Sequence, residues 1–255
     1  MKSSLQIRDR WIKCITPNPN ACLRLFCFHY AGGNTSVFRD WANQVLDSVE
    51  VYAIELPGRG TRLTEPAFTH MAPLIQALKN ILAPYLTQPF AFFGHSMGAL
   101  VSYELSQSLQ QEQGLTPTHL FVSGHRAPHL PDLEEPIHAL PTADFLEALR
   151  RYNGTPEVIL QNAELMELLL PTLRADFTLL EAYVYRPRLP LGCPISAYGG
   201  LQDWKVSEDE LESWGEHTQA DFSHQLFEGD HFFIHSAQSS LLLALNTTLK
   251  NLVKV

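Results

Sequence analysis

Long apolar runs, basic clusters and ordered cysteine spacings are all scarce in this chain, and each scarcity excludes a class of protein. The longest unbroken apolar run is LLLAL at 241–245, far short of the ~20 residues a membrane-spanning helix needs. The first twenty residues, MKSSLQIRDRWIKCITPNPN, hold no apolar stretch of the kind a secretory signal carries. Lys and Arg total 18 against 27 Asp and Glu, a formal net charge of −9. No cluster of Lys and Arg reverses that balance, which argues against a nucleic-acid partner. The four cysteines, Cys14, Cys22, Cys27 and Cys193, are irregularly spaced and form no metal pattern. Cys27 lies in the apolar run LRLFCFH and reads as a small core residue. The expectation is a soluble, cytoplasmic protein with reduced thiols and no membrane segment.

What the chain does have is apolar sequence in short, punctuated pieces. Hydrophobic residues make up 45% of it and charged residues 18%, enough to bury one substantial core. Apolar, β-rich runs at 23–29, 51–55, 90–95, 119–123, 195–198 and 223–227 alternate with helical patterns near 36–48, 70–86, 98–113, 206–219 and 235–252. That alternation predicts an α/β fold, a mostly parallel central sheet with helices on both faces.

The rhythm breaks between 129 and 190, where no convincing strand occurs. PTADFLEALRRYNG reads as a helix with Thr142 at its N-cap and an end at Gly154. In NAELMELLLPTLRADFTLLEAYVY, Pro171 should end or bend a helix. The resulting division is a core of 1–128 and 191–255 with a helical lid insertion at 129–190 over the sheet's carboxyl edge. The bland alternative is that these helices simply complete the core.

The chemistry centres on FFGHSMGAL at 92–100. Ser96 sits where an apolar strand turns into a helical pattern, with Gly94 and Gly98 small enough for the two elements to pack closely. Gly-x-Ser-x-Gly alone is weak, and a hydroxyl needs a base and a group to orient that base. In this architecture an acid and then a histidine should follow, each beyond a later strand. Asp203 ends the loop GGLQD after one strand, and His231 lies in EGDHFF after the next. His95 adjoins Ser96 but should point the opposite way from an extended backbone. Asp230 is too close in sequence to orient the His231 ring, and Asp221 and Glu228 are the fallback acids. The backbone N–H of Met97, at a helix start, is one expected oxyanion donor. Ala31, in the loop HYAGGN after the first core strand, is the other.

With these residues in place the chain resembles a type II, or editing, thioesterase of the α/β-hydrolase superfamily, the kind that accompanies nonribosomal peptide and polyketide synthetases. The resemblance runs through FCFHYAGGN at 26–34, ELPGRGTR at 55–62, FFGHSMGA at 92–99, YGGLQDWKV at 198–206 and FEGDHFFI at 227–234. One departure is His29, which stands where many relatives carry proline and should alter the stiffness of the oxyanion loop.

The resemblance implies a Ser96–His231–Asp203 triad with Ala31 and Met97 as oxyanion donors. It implies hydrolysis of acyl, aminoacyl or peptidyl thioesters held on the phosphopantetheine arm of carrier domains, clearing mis-primed or stalled carriers. No metal or bound cofactor is expected, and a free-standing monomer is. Lid residues Leu165, Leu168, Leu169, Phe177 and Leu180 are candidates to line the acyl pocket, with core packing as their alternative. Arg59 reads as a loop arginine paired with Glu55 or Glu65. A carrier-docking patch is expected around Arg59, Arg62, Arg126 or Lys205, and 130–187 is expected to be the most mobile ordered part. The competing readings are a carboxylester or lipid hydrolase with the same triad, and a non-catalytic scaffold that binds acylated carriers.

Overall fold

The computed structural model describes residues 10–253, so the opening of the N-terminal stretch read above for a targeting signal lies outside the described residues. Seven strands form one sheet in the order β1-β3-β2-β4-β5-β6-β7. They are β1 (Ile12–Cys14), β2 (Leu23–Phe28), β3 (Val49–Ile54), β4 (Phe90–His95), β5 (His119–Ser123), β6 (Ile195–Gly200) and β7 (Phe222–Phe227). β1 pairs antiparallel with β3, and every other pairing is parallel. This is the mostly parallel sheet of the α/β-hydrolase fold.

The central strands β2, β4 and β5 are largely apolar and almost wholly buried, because both faces are covered. In β2, Phe26 and Phe28 join the core on one face, while Leu25 and Cys27 join the other. In β4, Phe90 and Phe92 divide from Ala91 and Phe93 in the same way. Helices α1 (Met71–Leu82) and α2 (Met97–Gln113) cover the first face, and α8 (Gln238–Leu252) the second. All four cysteines are free, and Cys27 is fully buried.

Between β5 and β6 lie α3 (Thr142–Tyr152), α4 (Glu157–Leu160) and α5 (Ala163–Glu181). Their apolar faces meet in a separate cluster of Phe145, Leu149, Leu160, Met166, Leu173 and Phe177. Short helices α6 (Glu208–Glu212) and α7 (Phe233–Ser236) follow β6 and β7.

The structure departs from the sequence-based elements at several places. β1 has only three residues at a sheet edge, too few to show a period. The pattern at 36–48 becomes a 3-10 segment, Thr35–Asn43, capped by the Asn34 side chain. Thr142 is the first helical residue, and the N-cap position belongs to Pro141. Pro171 lies inside α5, which runs on for ten residues to Glu181. The proline has no N–H to give the carbonyl four residues back, on Glu167, and that residue is exposed. Elsewhere on the helix Met166, Leu173, Phe177 and Leu179 are buried, and that apolar burial offsets the ~3 kcal/mol an interior proline costs.

Candidate active site

Strand order reverses between β2 and β4: the chain leaves β2 toward β3 on one side and returns to β4 on the other. The loops beyond β2 and β4 therefore diverge and open a crevice at the sheet's carboxyl edge. HYAGGN follows β2 and Ser96 follows β4, so both border that crevice.

Ser96 holds φ 53° and ψ −116°, a backbone region that costs a non-glycine residue of order 1–3 kcal/mol. The flanking glycines make that turn possible. A β-carbon on Gly94 would stand 2.1 Å from the Gly98 carbonyl oxygen, and one on Gly98 would stand 2.1 Å from the Phe28 carbonyl oxygen. Those neighbours are backbone and cannot swing aside. The Ser96 N–H donates to the Ser123 carbonyl at 2.7 Å, which ties the turn to the end of β5.

Asp203 and His231 come from the loops after β6 and β7. The Asp203 N–H closes a turn onto Gly200 O, and Asp203 Oδ1 accepts the Lys205 N–H at 2.8 Å. The two loops are stitched together by Gln202, whose N–H donates to Gly229 O and whose Oε1 accepts the Gly229 N–H. His231 Nδ1 stands 2.8 Å from Asp203 Oδ2, and its Nε2 stands 3.0 Å from Ser96 Oγ. A carboxylate only accepts, so Nδ1 carries the proton and Nε2 is left to accept from the serine hydroxyl. The Asp203 side chain is wholly buried and that of His231 is 8% exposed. Such a chain can draw a proton from Ser96 Oγ and hold the resulting imidazolium against a fixed carboxylate.

His95 does more than point away. It is fully buried, donates from Nε2 to the His231 carbonyl at 2.9 Å, and accepts at Nδ1 from Ser123 Oγ at 2.9 Å. Burial, with His231 nearby, holds its pKa well below the usual imidazole value. A neutral ring is what those two bonds require. The sequence placed His95 beside Ser96 but carried no signal that it props the loop of the distant His231. Asp230 likewise bonds elsewhere: Oδ2 accepts from Asn153 of the helical segment and Oδ1 from the Phe232 N–H.

In the loop after β2, the Gly33 N–H donates to Tyr30 O at 2.9 Å and the Gly32 N–H to Asp176 Oδ2 at 2.7 Å. Among the described residues no acceptor takes the Ala31 N–H. Met97 is the first residue of α2, so its N–H lacks an intrahelical partner. His29 is buried, and its Nδ1 donates to Tyr30 O at 2.8 Å. Burial, then the nearby Arg59 charge, lowers its pKa to about 3.

Ala31, Ser96 and His231 all border one cavity of about 470 Å³. Of the five residues expected to line a pocket, Phe177 and Leu180 do so, joined by Leu149, Leu173 and Tyr152. Leu165 and Leu168 face solvent, 38% and 51% exposed, and Leu169 packs against the cluster of the helical segment. The difference is one of phase: the cavity side of α5 is the Leu173–Phe177–Leu180 stripe.

The arginines also differ from the expectation. Arg59 pairs with neither Glu55 nor Glu65; it is buried against Asp176. Arg62 is buried and takes Glu65. Neither can form an exposed docking patch. Arg126 is paired with Asp132, and Lys205 with Glu134 and the Tyr152 hydroxyl, and both border the cavity.

Among the described residues no helix is long and apolar enough to cross a membrane. Comparison with known proteins gives a consistent relationship. The model of the thioesterase domain family matches residues 23–249. LgrE of Brevibacillus parabrevis, whose name gives it as a linear gramicidin dehydrogenase, is 45% identical, with 95% of this chain and 94% of that one covered. The RedJ thioesterase from the prodiginine pathway of Streptomyces coelicolor superposes with a TM-score of 0.85 at 39% identity, covering 91% of this chain and 88% of its own. BorB, the type II thioesterase of the borrelidin cluster, gives 0.85 at 32% identity, over 93% and 96%. By sequence over nearly its whole length, and by a sheet that brings a serine, a histidine and an aspartate into one line, this chain belongs to the thioesterase domain family and is a thioester hydrolase related to the type II thioesterases.

Proposed function

We propose that this protein is an editing thioesterase in which Ser96 is the nucleophile, His231 the general base and Asp203 the group that orients it. The Ser96–His231–Asp203 hydrogen-bond chain carries this reading. Ser96 Oγ attacks the carbonyl of an acyl, aminoacyl or peptidyl thioester on the phosphopantetheine arm of a carrier domain, and its proton passes to His231 Nε2. The tetrahedral oxyanion is met by the Ala31 and Met97 N–H groups. The thiol leaves with the proton from His231, and an acyl-serine remains. Water, deprotonated by the same ring, then attacks the acyl carbon; the Ser96 Oγ–acyl bond breaks, Oγ takes the proton back from His231, and the free acid leaves. Each step uses this chain's residues and the carrier's own arm.

The segment 129–190 acts in this reading as a lid, roofing the cavity with Leu149, Tyr152, Leu173, Phe177 and Leu180. The partners are carrier domains of a nonribosomal peptide or polyketide synthetase, a reading supported by the gramicidin, prodiginine and borrelidin pathways named for the relatives. The dehydrogenase label on LgrE stays with that protein: the loop after β2, HYAGGN, lacks the Gly-x-Gly-x-x-Gly spacing of a dinucleotide fingerprint.

Two measurements test the proposal together. A fluorophosphonate should label Ser96 and no other serine, and Ser96→Ala should abolish labelling. Acyl-carrier thioester should turn over faster than a matched oxygen ester. Absence of label at Ser96 rejects the nucleophile, and preference for the ester rejects the substrate class.

A further inference from the structure

The helix that roofs the cavity also grips the loop beneath it. Three residues of α5 make the contact. Thr172 Oγ1 donates to the Gly58 carbonyl. Leu173 lies over Gly32, its Cδ2 2.5 Å from where a β-carbon there would stand. Asp176 sits between two loops: Oδ1 accepts from Arg59 Nη2 at 2.7 Å, and Oδ2 accepts from both Arg59 Nη1 and the Gly32 N–H, each at 2.7 Å. Arg59 Nη1 also donates to Gly33 O at 3.2 Å, while its Nε and Nη2 donate to Pro57 O at 3.3 Å. The side chains of Arg59 and Asp176 are 5% and 3% exposed.

A buried ion pair of this kind is poor evidence of stabilisation, since desolvation consumes most of its attraction. Its geometry is more telling. The loop at Gly32 has φ +75°, and the pair takes hold of it at a donor on Gly32 and an acceptor on Gly33. Gly33 N–H in turn donates to Tyr30 O. Tyr30 C=O and Ala31 N–H belong to one planar peptide, so fixing the direction of the carbonyl fixes that of the N–H.

We infer that Asp176, held in place by Arg59, is a positioning residue that aims the Ala31 N–H at the oxyanion, so that the oxyanion site is complete only while α5 is docked. The inference rests on the function proposed above. It also explains the buried arginine of ELPGRGTR: the guanidinium neutralises Asp176 without taking the lone pair that holds Gly32, which a carboxylate with two oxygens can supply.

The test is Asp176→Ala, measured with an acyl-N-acetylcysteamine thioester and with a fluorophosphonate. Loss of one aligned oxyanion donor costs on the order of a hundredfold in kcat. We expect that loss with KM within about threefold of the parent, a similar slowing of fluorophosphonate labelling, and an unmoved acidic limb of the pH–rate profile, because His231 and Asp203 are untouched. If Asp176→Ala does not fold, the pair Asp176→Leu with Arg59→Met removes both charges and fills the space, and should show the same kinetic pattern. A folded variant with kcat within threefold of the parent overturns the inference. So does a loss matched by a shifted pH profile, which would mean general damage to the site. Failure of the parent protein itself to label at Ser96 would instead reject the proposed function.

Discussion

The sheet edge and the helical segment between β5 and β6 border the same cavity but are built on different terms. On the sheet side, every residue of β4 and every residue of α2 from Met97 to Leu109 is buried. The backbones of Phe28, Gly94 and Gly98 approach so closely that no β-carbon fits between them. The helical side has a cluster of only six buried apolar residues and leaves Val158 at 74% exposure. Much of its attachment is polar: Asn153 to Asp230, Glu134 to Lys205, and Arg59 to Asp176. Close backbone packing makes one wall unable to deform, whereas polar fastenings can be exchanged for water. A nucleophile benefits from the first kind of wall, and the admission of a bulky thioester from the second.

The largest expected effect concerns chemistry on the rigid wall. Asp203→Asn should keep the shape of the site but favour the wrong imidazole tautomer, lowering kcat about 10⁴-fold in a protein with near-parental melting. A loss below tenfold in steady-state turnover would show that Asp203 does not orient His231.

Next come two glycines that contrast the walls directly. Gly98→Ala drives a methyl into backbone carbonyls and should prevent folding or cost more than ~3 kcal/mol. Gly154→Ala meets only the far end of the Phe232 ring, at 2.3 Å, which can turn aside, and should cost ~1 kcal/mol or less. Denaturant unfolding of both variants checks this, and the reverse ranking would contradict the contrast.

A smaller effect is expected in native-state dynamics. Amides of α3 and α5 should exchange at least tenfold faster than those of β4 and β5, a gap of about 1.4 kcal/mol. Equal protection by hydrogen-exchange mass spectrometry would remove the distinction between the two walls.

A separate effect, on stability against pH, belongs mainly to the sheet side. Burial holds His119 and His125 neutral down to a pKa of about 4 and His29 to about 3, and it holds His95 well below its usual value. In the unfolded chain these rings take protons near pH 6.5, so unfolding takes up protons below that pH. Stability should be full above about pH 6.5 and should decline as pH falls toward 4. Melting curves across that range test it, and a flat profile from pH 7 to 5 would contradict the buried neutral assignments.

The two walls also differ in how far they could be read in advance. Strands buried on both faces are largely apolar runs, so β2 to β6 were legible in the pattern, and so was the serine between its glycines; β7, at the sheet edge, alternates half-buried and exposed residues up to the buried Phe227. The loops after β6 and β7 carry their acid and histidine at strand ends, and chain order alone pairs them with Ser96. The helical segment yielded less. Pro171 and the exposed leucines of α5 were misjudged because the face of a helix that is buried depends on what lies across from it. Arg59 could not be matched to Asp176, 117 residues away, since carboxylates nearer in sequence offer the same charge.

Local patterning therefore determined the order of strands and helices, the tight turn at Ser96 and the identity of the residues that meet it. That information is carried by periodicity and by residue size within a few positions. Only the tertiary structure decided that His95 supports the His231 loop, that α5 reaches the loop after β2 through Asp176, and which side chains line the cavity. Those are contacts between segments far apart in the chain, selected by burial and hydrogen-bond geometry, and no short stretch of sequence encodes the partner it will face.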